Sequence, residues 1–537
     1  MQDHPLMISS LLEYAARYHG DREIVTLTGP GRRHRYNYAD SAARARRLAK
    51  ALQALGVEPG DRIATLAWNN YRHFELFYGV SGIGAVLHTV NPRLFEDQIR
   101  YILRHAEDRF VFLEPDFVPL MEKLAPDLPA VKGWFVLCEE PEMPDTALPG
   151  AQSYETLIGG HAPEFDWPVF DENTASSMCY TSGTTGDPKG VLYSHRSTVL
   201  HALASAQNSA FGLSAEDAVM PMANMYHASA WALPYICPMV GAKLVLSGRH
   251  ADGPTLHDLI TTEQVTFASG VPTVWTMLFQ HLDATGGTLD SLNKVLIGGS
   301  AAPQSMIDRF RDRYGVQVLH IWGMTETSPL GVVSTPTPRV NALPRQDRDA
   351  ILIKQGRAQY GIELKITDEA GNELPHDGQS SGALWVRGPW VARAYYGRED
   401  EPLLDADGWF PTGDVATIDP YGYMKITDRT KDVIKSGGEW ISSVDVENHA
   451  MSHPDVQMAA VIGVYHPKWE ERPLLVVVPR PGRTVEPESI LKHLEGRITR
   501  WWMPDAVVVR DSLPLTATGK VSKLTLRDEY RDYLVDR

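Results

Sequence analysis

Cysteine is scarce in this sequence. Cys138, Cys179 and Cys237 are the three in 537 residues, and no two lie close together. Without a Cys-x-x-Cys pair, neither a zinc site nor a disulfide framework is indicated, and a reducing, cytoplasmic setting is expected. The 19 histidines likewise show no His-Glu-x-x-His or similar ligand spacing. Basic charge is in deficit, with 51 Lys and Arg against 67 Asp and Glu and a net charge of −16. That argues against a nucleic-acid or anionic-membrane partner, so an anionic substrate has to be met by local donors. Long apolar runs are missing too. The longest, Trp231 to Ala242, is too short to cross a bilayer and contains Pro234 and Pro238. The N-terminus, Met1-Gln2-Asp3-His4-Pro5, lacks the basic and apolar regions of a secretory signal. No internal repeat is visible, and a soluble protein without a membrane span is expected.

What is present is ordinary globular composition, 43% apolar and 22% charged, in a chain too long for one core. Ser10-Leu11-Leu12-Glu13 has the spacing of a capping box and predicts a helix start at Ser10. Ala45, Leu48, Leu52 and Leu55 line one face of a second helix that stops at Gly56. Arg62–Leu66 reads as a buried strand. Then follow a helix around Phe74 to Tyr78, a strand Gly84–Leu87, a helix near Gln98 to His105 and a strand Phe110–Leu113. This alternation predicts a doubly wound α/β domain. Residues 139–175, rich in Pro, Glu, Asp and Gly, read as a surface connection. The α/β alternation resumes over 176–330. From 351 the character changes to β: Ile362–Thr367 alternates apolar and polar, and Ala383–Arg387 is a further strand. A small antiparallel unit is expected before 430, and 431–537 has the size of a separate lobe.

Candidate chemistry centres on Tyr180-Thr181-Ser182-Gly183-Thr184-Thr185-Gly186-Asp187-Pro188-Lys189-Gly190-Val191. Three glycines, a proline and the hydroxyls of Thr181, Ser182, Thr184 and Thr185 make this a loop. Its exposed N–H groups, hydroxyls and Lys189 form a cradle for phosphate. It is not the P-loop, whose lysine precedes Ser or Thr at the start of a helix. In Gly298-Gly299-Ser300-Ala301-Ala302-Pro303, after strand Val295–Ile297, the glycine pair lets a flat ligand approach the backbone. In His320-Ile321-Trp322-Gly323-Met324-Thr325-Glu326-Thr327, Thr325 offers a hydroxyl to phosphate. Glu326 is a hard oxygen ligand suited to Mg²⁺, or else a solvated loop glutamate.

Other stretches carry two readings each. Asp414, closing Gly408-Trp409-Phe410-Pro411-Thr412-Gly413-Asp414, can accept hydrogen bonds from ribose hydroxyls or cap a turn. Asp428-Arg429-Thr430-Lys431-Asp432 can be a solvated charge run. Ile434-Lys435-Ser436-Gly437-Gly438-Glu439-Trp440-Ile441-Ser442-Ser443 leaves room for a thin chain or is a plain β-turn. Tyr226-His227-Ala228-Ser229-Ala230-Trp231 can line an acyl pocket or pack in the core. It contains no acid. Lys520, in Leu513-Pro514-Leu515-Thr516-Ala517-Thr518-Gly519-Lys520, is a cation on a glycine-containing loop.

In order and spacing these stretches resemble the adenylate-forming (AMP-binding) acyl-CoA synthetases, over about two thirds of the chain. The resemblance is closest to the 3-methylmercaptopropionyl-CoA ligases and medium-chain fatty acyl-CoA ligases. Cys179 to Val199, Lys435 to Ser443 and Trp469-Glu470-Glu471-Arg472-Pro473 carry it. Tyr226 and Asn224 depart from the phenylalanine and proline of that subgroup, which leaves the acid open. The resemblance implies an α/β fold with a large adenylation domain, 1–430, of doubly wound subdomains plus a small β unit. A small mobile C-terminal α+β domain, 431–537, would follow. It implies ATP, Mg²⁺ and coenzyme A, an acyl-adenylate and then an acyl-CoA thioester. An enzyme loading an aryl or other acid onto CoA or a carrier protein stays open, as does a homodimer.

The same resemblance assigns residues. Lys520, Thr184, Glu326 and His227 would be catalytic, with Mg²⁺ at Thr184 and Glu326. Nucleotide contacts would come from Thr181, Ser182, Gly183, Thr185, Gly186, Lys189, Gly299, Ser300, Ala301, His320, Trp322, Gly323, Met324, Thr325, Asp414 and Arg429. Lys435, Gly437, Gly438, Glu439 and Trp440 would face CoA. His227, Trp231, Gly298 and Pro329 would shape the acyl site, and Lys431 would be the hinge.

Overall fold

The computed structural model describes residues 1–181, 187–436, 439–515 and 521–535, with Ser229, Glu439 and Trp440 described at the backbone only. The chain opens with strands Glu23–Gly29 (β1) and Arg32–Asn37 (β2). Next come Arg62–Leu66 (β3), Val86–Thr89 (β4), Phe110–Leu113 (β5), Gly133–Val136 (β6), Gln152–Ser153 (β7), Ala175–Tyr180 (β8) and Gly190–Ser194 (β9). These seven, β3 to β9, form one sheet in the order β7-β6-β5-β3-β4-β8-β9, parallel except for the β8–β9 pair. Its central strands are buried on both faces, which is the pattern that parallel strands under helices require.

A second sheet takes Ala218–Pro221 (β10), Lys243–Leu246 (β11), Phe267–Gly270 (β12), Lys294–Ile297 (β13) and Gln317–Gly323 (β14) in parallel beside β1. It then continues antiparallel through Leu330–Val333 (β15), Gly356–Ala358 (β16), Glu363–Thr367 (β17), Gly382–Arg387 (β18), Phe410–Ile418 (β19) and Tyr423–Arg429 (β20). The expected small β unit is thus an extension of the second sheet. β18 buries alternate residues, whereas β17, where the sequence alternates, runs from exposed at Glu363 to buried at Ile366 and Thr367 without alternating.

One apolar cluster lies between the two sheets. It joins Ile63, Leu87 and Phe112 of the first to Leu244, Phe267 and Leu319 of the second through helices Tyr38–Ala54, Tyr71–Gly79 and Leu233–Val240. Separate clusters cover the outer face of each sheet. The smaller lobe contains Ile434–Ser436 (β21), Glu439–Ile441 (β22), Val456–His466 (β23), Glu470–Pro479 (β24) and Ala506–Val509 (β25). They pair as β22-β21-β24-β23 with β25 beside β24, packed with helices Ser443–Met451 and Pro487–Leu494.

Three local expectations change. The first helix runs Ile8–Tyr18 and starts before Ser10; Met7 is its N-cap, without a side-chain bond. Ser10 Oγ donates to the Met7 carbonyl at 2.6 Å, and Glu13 binds Trp167 Nε1 at 2.7 Å and Arg46. Burial of Ile8, Leu11 and Leu12 sets the start, and long-range partners take the glutamate. Leu55 caps the second helix and is exposed, because the helix ends at Ala54. The 139–175 connection also holds β7 and helix Tyr154–Gly159, whose Glu155 pairs with Arg44 at 2.8 Å and Arg72 at 2.7 Å.

Candidate active site

β8 and β9 run antiparallel from Ala175↔Ser194 to Tyr180↔Gly190, so the loop between them projects from the carboxyl end of a parallel strand. Its base is pinched. Thr181 N–H donates to the Lys189 carbonyl at 2.9 Å, and Lys189 N–H donates to Thr181 Oγ1 at 3.2 Å. Ser182, Gly183, Thr184, Thr185 and Gly186 lie outside the described residues, as do Gly437, Gly438, Lys520 and the side chains of Glu439 and Trp440.

Across from that base stands Glu326, buried in the short turn after β14. The Tyr395 hydroxyl donates to Glu326 Oε1 at 2.7 Å, and Lys189 Nζ sits 4.8 Å from the centroid of the Tyr395 ring. Burial pushes the Glu326 carboxyl up from its ordinary value, while the Tyr395 hydroxyl and, less strongly, the Arg429 and Lys189 cations pull it back. No cluster of three or more metal-ligating side chains occurs among the described residues. A single carboxylate beside a phosphate loop is the donor set that suits Mg²⁺, which is held largely by substrate phosphates and water. Neighbouring Thr325 is buried, and its carbonyl accepts from Tyr193 Oη at 2.8 Å. Gly323 cannot be replaced without movement, because an added Cβ would stand 1.8 Å from the Pro329 carbonyl oxygen. That carbonyl also accepts from Met324 N–H at 3.1 Å, and the Pro329 side chain is buried.

Asp414, midway along β19, is buried and engaged on both oxygens. Trp322 Nε1 donates to Oδ2 at 2.7 Å, and Arg429 Nε stands 3.2 Å from Oδ1. Trp322 packs in an apolar cluster with Val332, Ile366 and Phe410, so its indole forms a wall and a donor and is not a free-standing surface. The segment after β13 is shaped by His320. Its Nδ1–H donates to the Ile353 carbonyl at 2.8 Å and its Nε2 accepts from Ala302 N–H at 3.3 Å, the pattern of a neutral ring. Burial lowers its pKa to about 4. Gly299 takes φ +81°, Ser300 is exposed and Ala301 is half-buried on this segment.

The segment that the sequence reading gives to the acyl group begins where β10 ends. Asn69, buried three residues beyond the end of β3, donates through Nδ2 to the Pro221 and Ala223 carbonyls at 2.9 and 3.0 Å and accepts from Met225 N–H at 2.8 Å. It thereby fixes the segment that leads to His227, which is half-buried. Ala228, Ala230, Trp231 and Ala232 follow with φ of 40°, 48°, 57° and 66°. Each such non-glycine residue costs about 1–2 kcal/mol, so the turn is kept by its surroundings. Trp231 is buried, and its ring lies 3.4 Å from where a Cβ on Gly298 would stand.

Beyond Arg429, the chain passes Lys431 into the smaller lobe. Arg527, on helix Lys523–Glu529, donates to the Lys431 carbonyl at 3.2 Å and to Asp432 Oδ1 at 2.7 Å. Lys435 pairs with Glu369 at 3.4 Å, and its N–H donates to Glu471 Oε2 at 3.0 Å. Arg472 is buried, donating to Asp505 Oδ1, Ser436 Oγ and the Trp501 carbonyl at 2.9, 3.2 and 3.0 Å. Its guanidinium lies 4.8 Å from the Trp501 ring, which meets Trp469 edge-on at 5.0 Å; Lys468 Nζ is 4.5 Å from the Trp469 centroid.

Residues 12–396 match the family described as AMP-binding enzyme, and residues 445–520 match the AMP-binding enzyme C-terminal domain. The chain is an AMP-binding enzyme. The enzyme is 52% identical over 534 residues, 99% of each chain, to a 3-methylmercaptopropionyl-CoA ligase of Ruegeria lacuscaerulensis. It is 47% identical to a medium-chain-fatty-acid–CoA ligase of Ectopseudomonas oleovorans, over 100% of this chain and 98% of that one. In fold it matches an anthranilate CoA ligase solved with anthranoyl-AMP, at TM-score 0.88 and 24% identity over the whole of both chains. It also matches ATP-bound MatB from Rhodopseudomonas palustris, at TM-score 0.81 and 25% identity over 98% and 99% of the two chains.

Three residues of the enzyme's site escape the sequence motifs. Tyr395 lies in an aperiodic stretch between β18 and β19, and the only available signal was the aromatic–basic run Ala392-Arg393-Ala394-Tyr395-Tyr396-Gly397-Arg398. Asn69 and Tyr193 carry no signal of their own; each acts through a bond more than a hundred residues away in sequence.

Proposed function

We propose that the enzyme is an ATP-dependent acyl-CoA ligase for a short- to medium-chain carboxylic acid, 3-methylmercaptopropionate or a medium-chain fatty acid. The observation that carries this reading is the grouping of Lys189, Tyr395 and Glu326 at the base of the 181–189 loop. A cation and a buried carboxylate, held apart beside a hydroxyl- and glycine-rich loop, suit a nucleotide triphosphate with its magnesium. The relative at 52% identity supports the acid–thiol ligase assignment, and the absence of any acid from Tyr226 to Trp231 supports an uncharged acyl chain.

In the first step the substrate carboxylate attacks the α-phosphate of ATP and pyrophosphate leaves. The loop N–H groups, the hydroxyls of Thr181, Ser182, Thr184 and Thr185, and Lys189 hold the phosphates in line. Thr184 and Glu326 would hold Mg²⁺, which neutralises phosphate charge when bound. Lys520 bridges carboxylate and α-phosphate as negative charge builds. Asp414 and Arg429 meet the ribose, and the backbone of Gly299, Ser300 and Ala301 faces the adenine.

In the second step the thiol of coenzyme A attacks the acyl-adenylate carbonyl and AMP leaves. The 431–537 lobe turns about Lys431, withdraws Lys520 and presents Gly437 and Gly438 to pantetheine. Trp469, Trp501 and Lys468 offer aromatic faces and a cation to the nucleotide end of CoA. Buried Cys138, Cys179 and Cys237, none in a disulfide, support a reducing cytoplasmic setting. AMP release with CoA across short, medium, methylthio and aryl acids tests the reading. Turnover highest with methylthio or C6–C10 alkyl acids is expected; preference for aryl acids, or no AMP release with any acid, would overturn it.

A further inference from the structure

Between β18 and β19, residues 390–396 form a strap that runs from the Glu326 turn to the start of β9. Trp390 Nε1 donates to the Leu330 carbonyl at 3.1 Å, and the Trp390 carbonyl accepts from Ser328 Oγ at 2.7 Å. Ala392 N–H donates to the Glu326 carbonyl at 2.7 Å, and Tyr396 N–H donates to the Gly190 carbonyl at 2.8 Å. The strap therefore bonds both to the turn that carries Glu326 and to the first residue of β9, beside Lys189. Tyr395, between these anchors, has little choice of position. Its hydroxyl meets Glu326 Oε1 at 2.7 Å and its ring face meets Lys189 Nζ at 4.8 Å.

We propose that Tyr395 is a positioning residue for nucleotide-bound Mg²⁺: it commits Oε1 of Glu326, directs metal binding to the other carboxylate oxygen, and keeps Lys189 from closing onto Glu326 as an ion pair. The inference rests on the reading of Glu326 as the metal ligand. The chemistry is that of an outer partner orienting a metal-binding carboxylate. A direct Lys189–Glu326 salt bridge would consume the two charges that phosphate and metal each need. An aromatic ring between them holds the cation by its face and the anion by its hydroxyl, so both stay available. The motif-bearing loops alone do not achieve this; the strap comes from the far, antiparallel end of the second sheet.

The test is calorimetric binding of ATP to the full-length enzyme without acid, in EDTA and across a MgCl₂ series, with melting curves for each variant. Tyr395→Phe is expected to leave metal-free ATP affinity within about two-fold and to raise the Mg²⁺ concentration at half-effect about ten-fold, the scale typical of losing an outer-shell partner. In a Glu326→Gln background, Tyr395→Phe should add nothing. Equal weakening of ATP binding with and without Mg²⁺, or an undiminished effect in the Glu326→Gln background, would overturn the proposal. Wild-type Mg²⁺ dependence in Tyr395→Phe beside an impaired Glu326→Gln would overturn it alone. Wild-type Mg²⁺ dependence in Glu326→Gln would overturn the metal reading and the proposal together.

Discussion

The backbone N–H of Ser443 donates to Asp428 Oδ2 at 2.7 Å, across the chain position of Lys431. The contact has company. Lys425 pairs with Asp445 at 2.7 Å, and the Ser442 hydroxyl donates to the Thr427 carbonyl. Lys523 is half-buried between Glu447 Oε1 at 2.7 Å and Ser443 Oγ at 2.5 Å, and its charge also acts on Asp428. Each of the first three contacts joins a residue before 431 to one after it, so a turn of the small lobe about Lys431 breaks all three. Rotation would also return Asp428 to water, which limits the cost of parting. Asp428→Ala combined with Lys425→Ala should therefore move adenylate formation and thioester formation in opposite directions, by about 5–30-fold for a shift of one or two kcal/mol. Rates measured separately for the two half-reactions check this; equal losses in both would mean the contacts serve folding alone.

Trp231 and Gly298 face each other in the segment read as the acyl wall. Trp231→Ala should extend the accepted chain, raising kcat/KM for an acid one carbon longer by about ten-fold, since each methylene in an apolar pocket is worth ~1–3 kcal/mol. Gly298→Ala should do the reverse, because the added methyl would stand 2.5 Å from Ile321 Cγ1. A chain-length series read by AMP release decides it. An unchanged profile in both variants would place the acyl chain elsewhere.

Two buried histidines tie the site to pH. Burial lowers His320 to about 4 and His201 to about 3, and each ring accepts a backbone N–H, from Ala302 and Leu330 respectively. Both pKa values lie below the ordinary value of 6.5, so between those limits the unfolded chain binds more protons. Stability from these rings is fully present above pH 6.5 and declines as pH falls towards 4 and 3, by roughly 3 kcal/mol for His320 at pH 4 and roughly 4 kcal/mol for His201 at pH 3. Thermal melts between pH 4 and 8 should show this slope, and His320→Gln should flatten it while lowering stability at pH 8. A slope unchanged in the variant would remove His320 from the account of acid sensitivity.

Much of the site was legible because its chemistry is local in the chain. The pinch of Thr181 on Lys189 spans eight residues, and Glu326 stands two residues after Met324 in one turn. The α/β alternation was readable for the same reason: buried parallel strands such as Phe110–Leu113 are unbroken apolar runs. What escaped was whatever depends on distant partners. Tyr395 reaches Glu326 over 69 residues, and Asn69 reaches Met225 over 156. Tertiary partners also overrode a local pattern at Ser10 and Glu13, where the capping spacing is present but Trp167 and Arg46 take the carboxylate. Asp414 could be read as a ribose acceptor, but not as the partner of Trp322, because that bond crosses 92 residues.

Lys520→Ala, assayed in each half-reaction by rapid quench, bears most directly on the claim that one lobe serves two reactions. Pyrophosphate release from ATP and acid should fall by about 10²–10³, the scale of losing one charge-stabilising donor, while thioester formation from supplied acyl-adenylate and CoA should stay within about three-fold of wild type. Equal losses in both half-reactions would contradict a lysine that leaves the site before the thiol arrives.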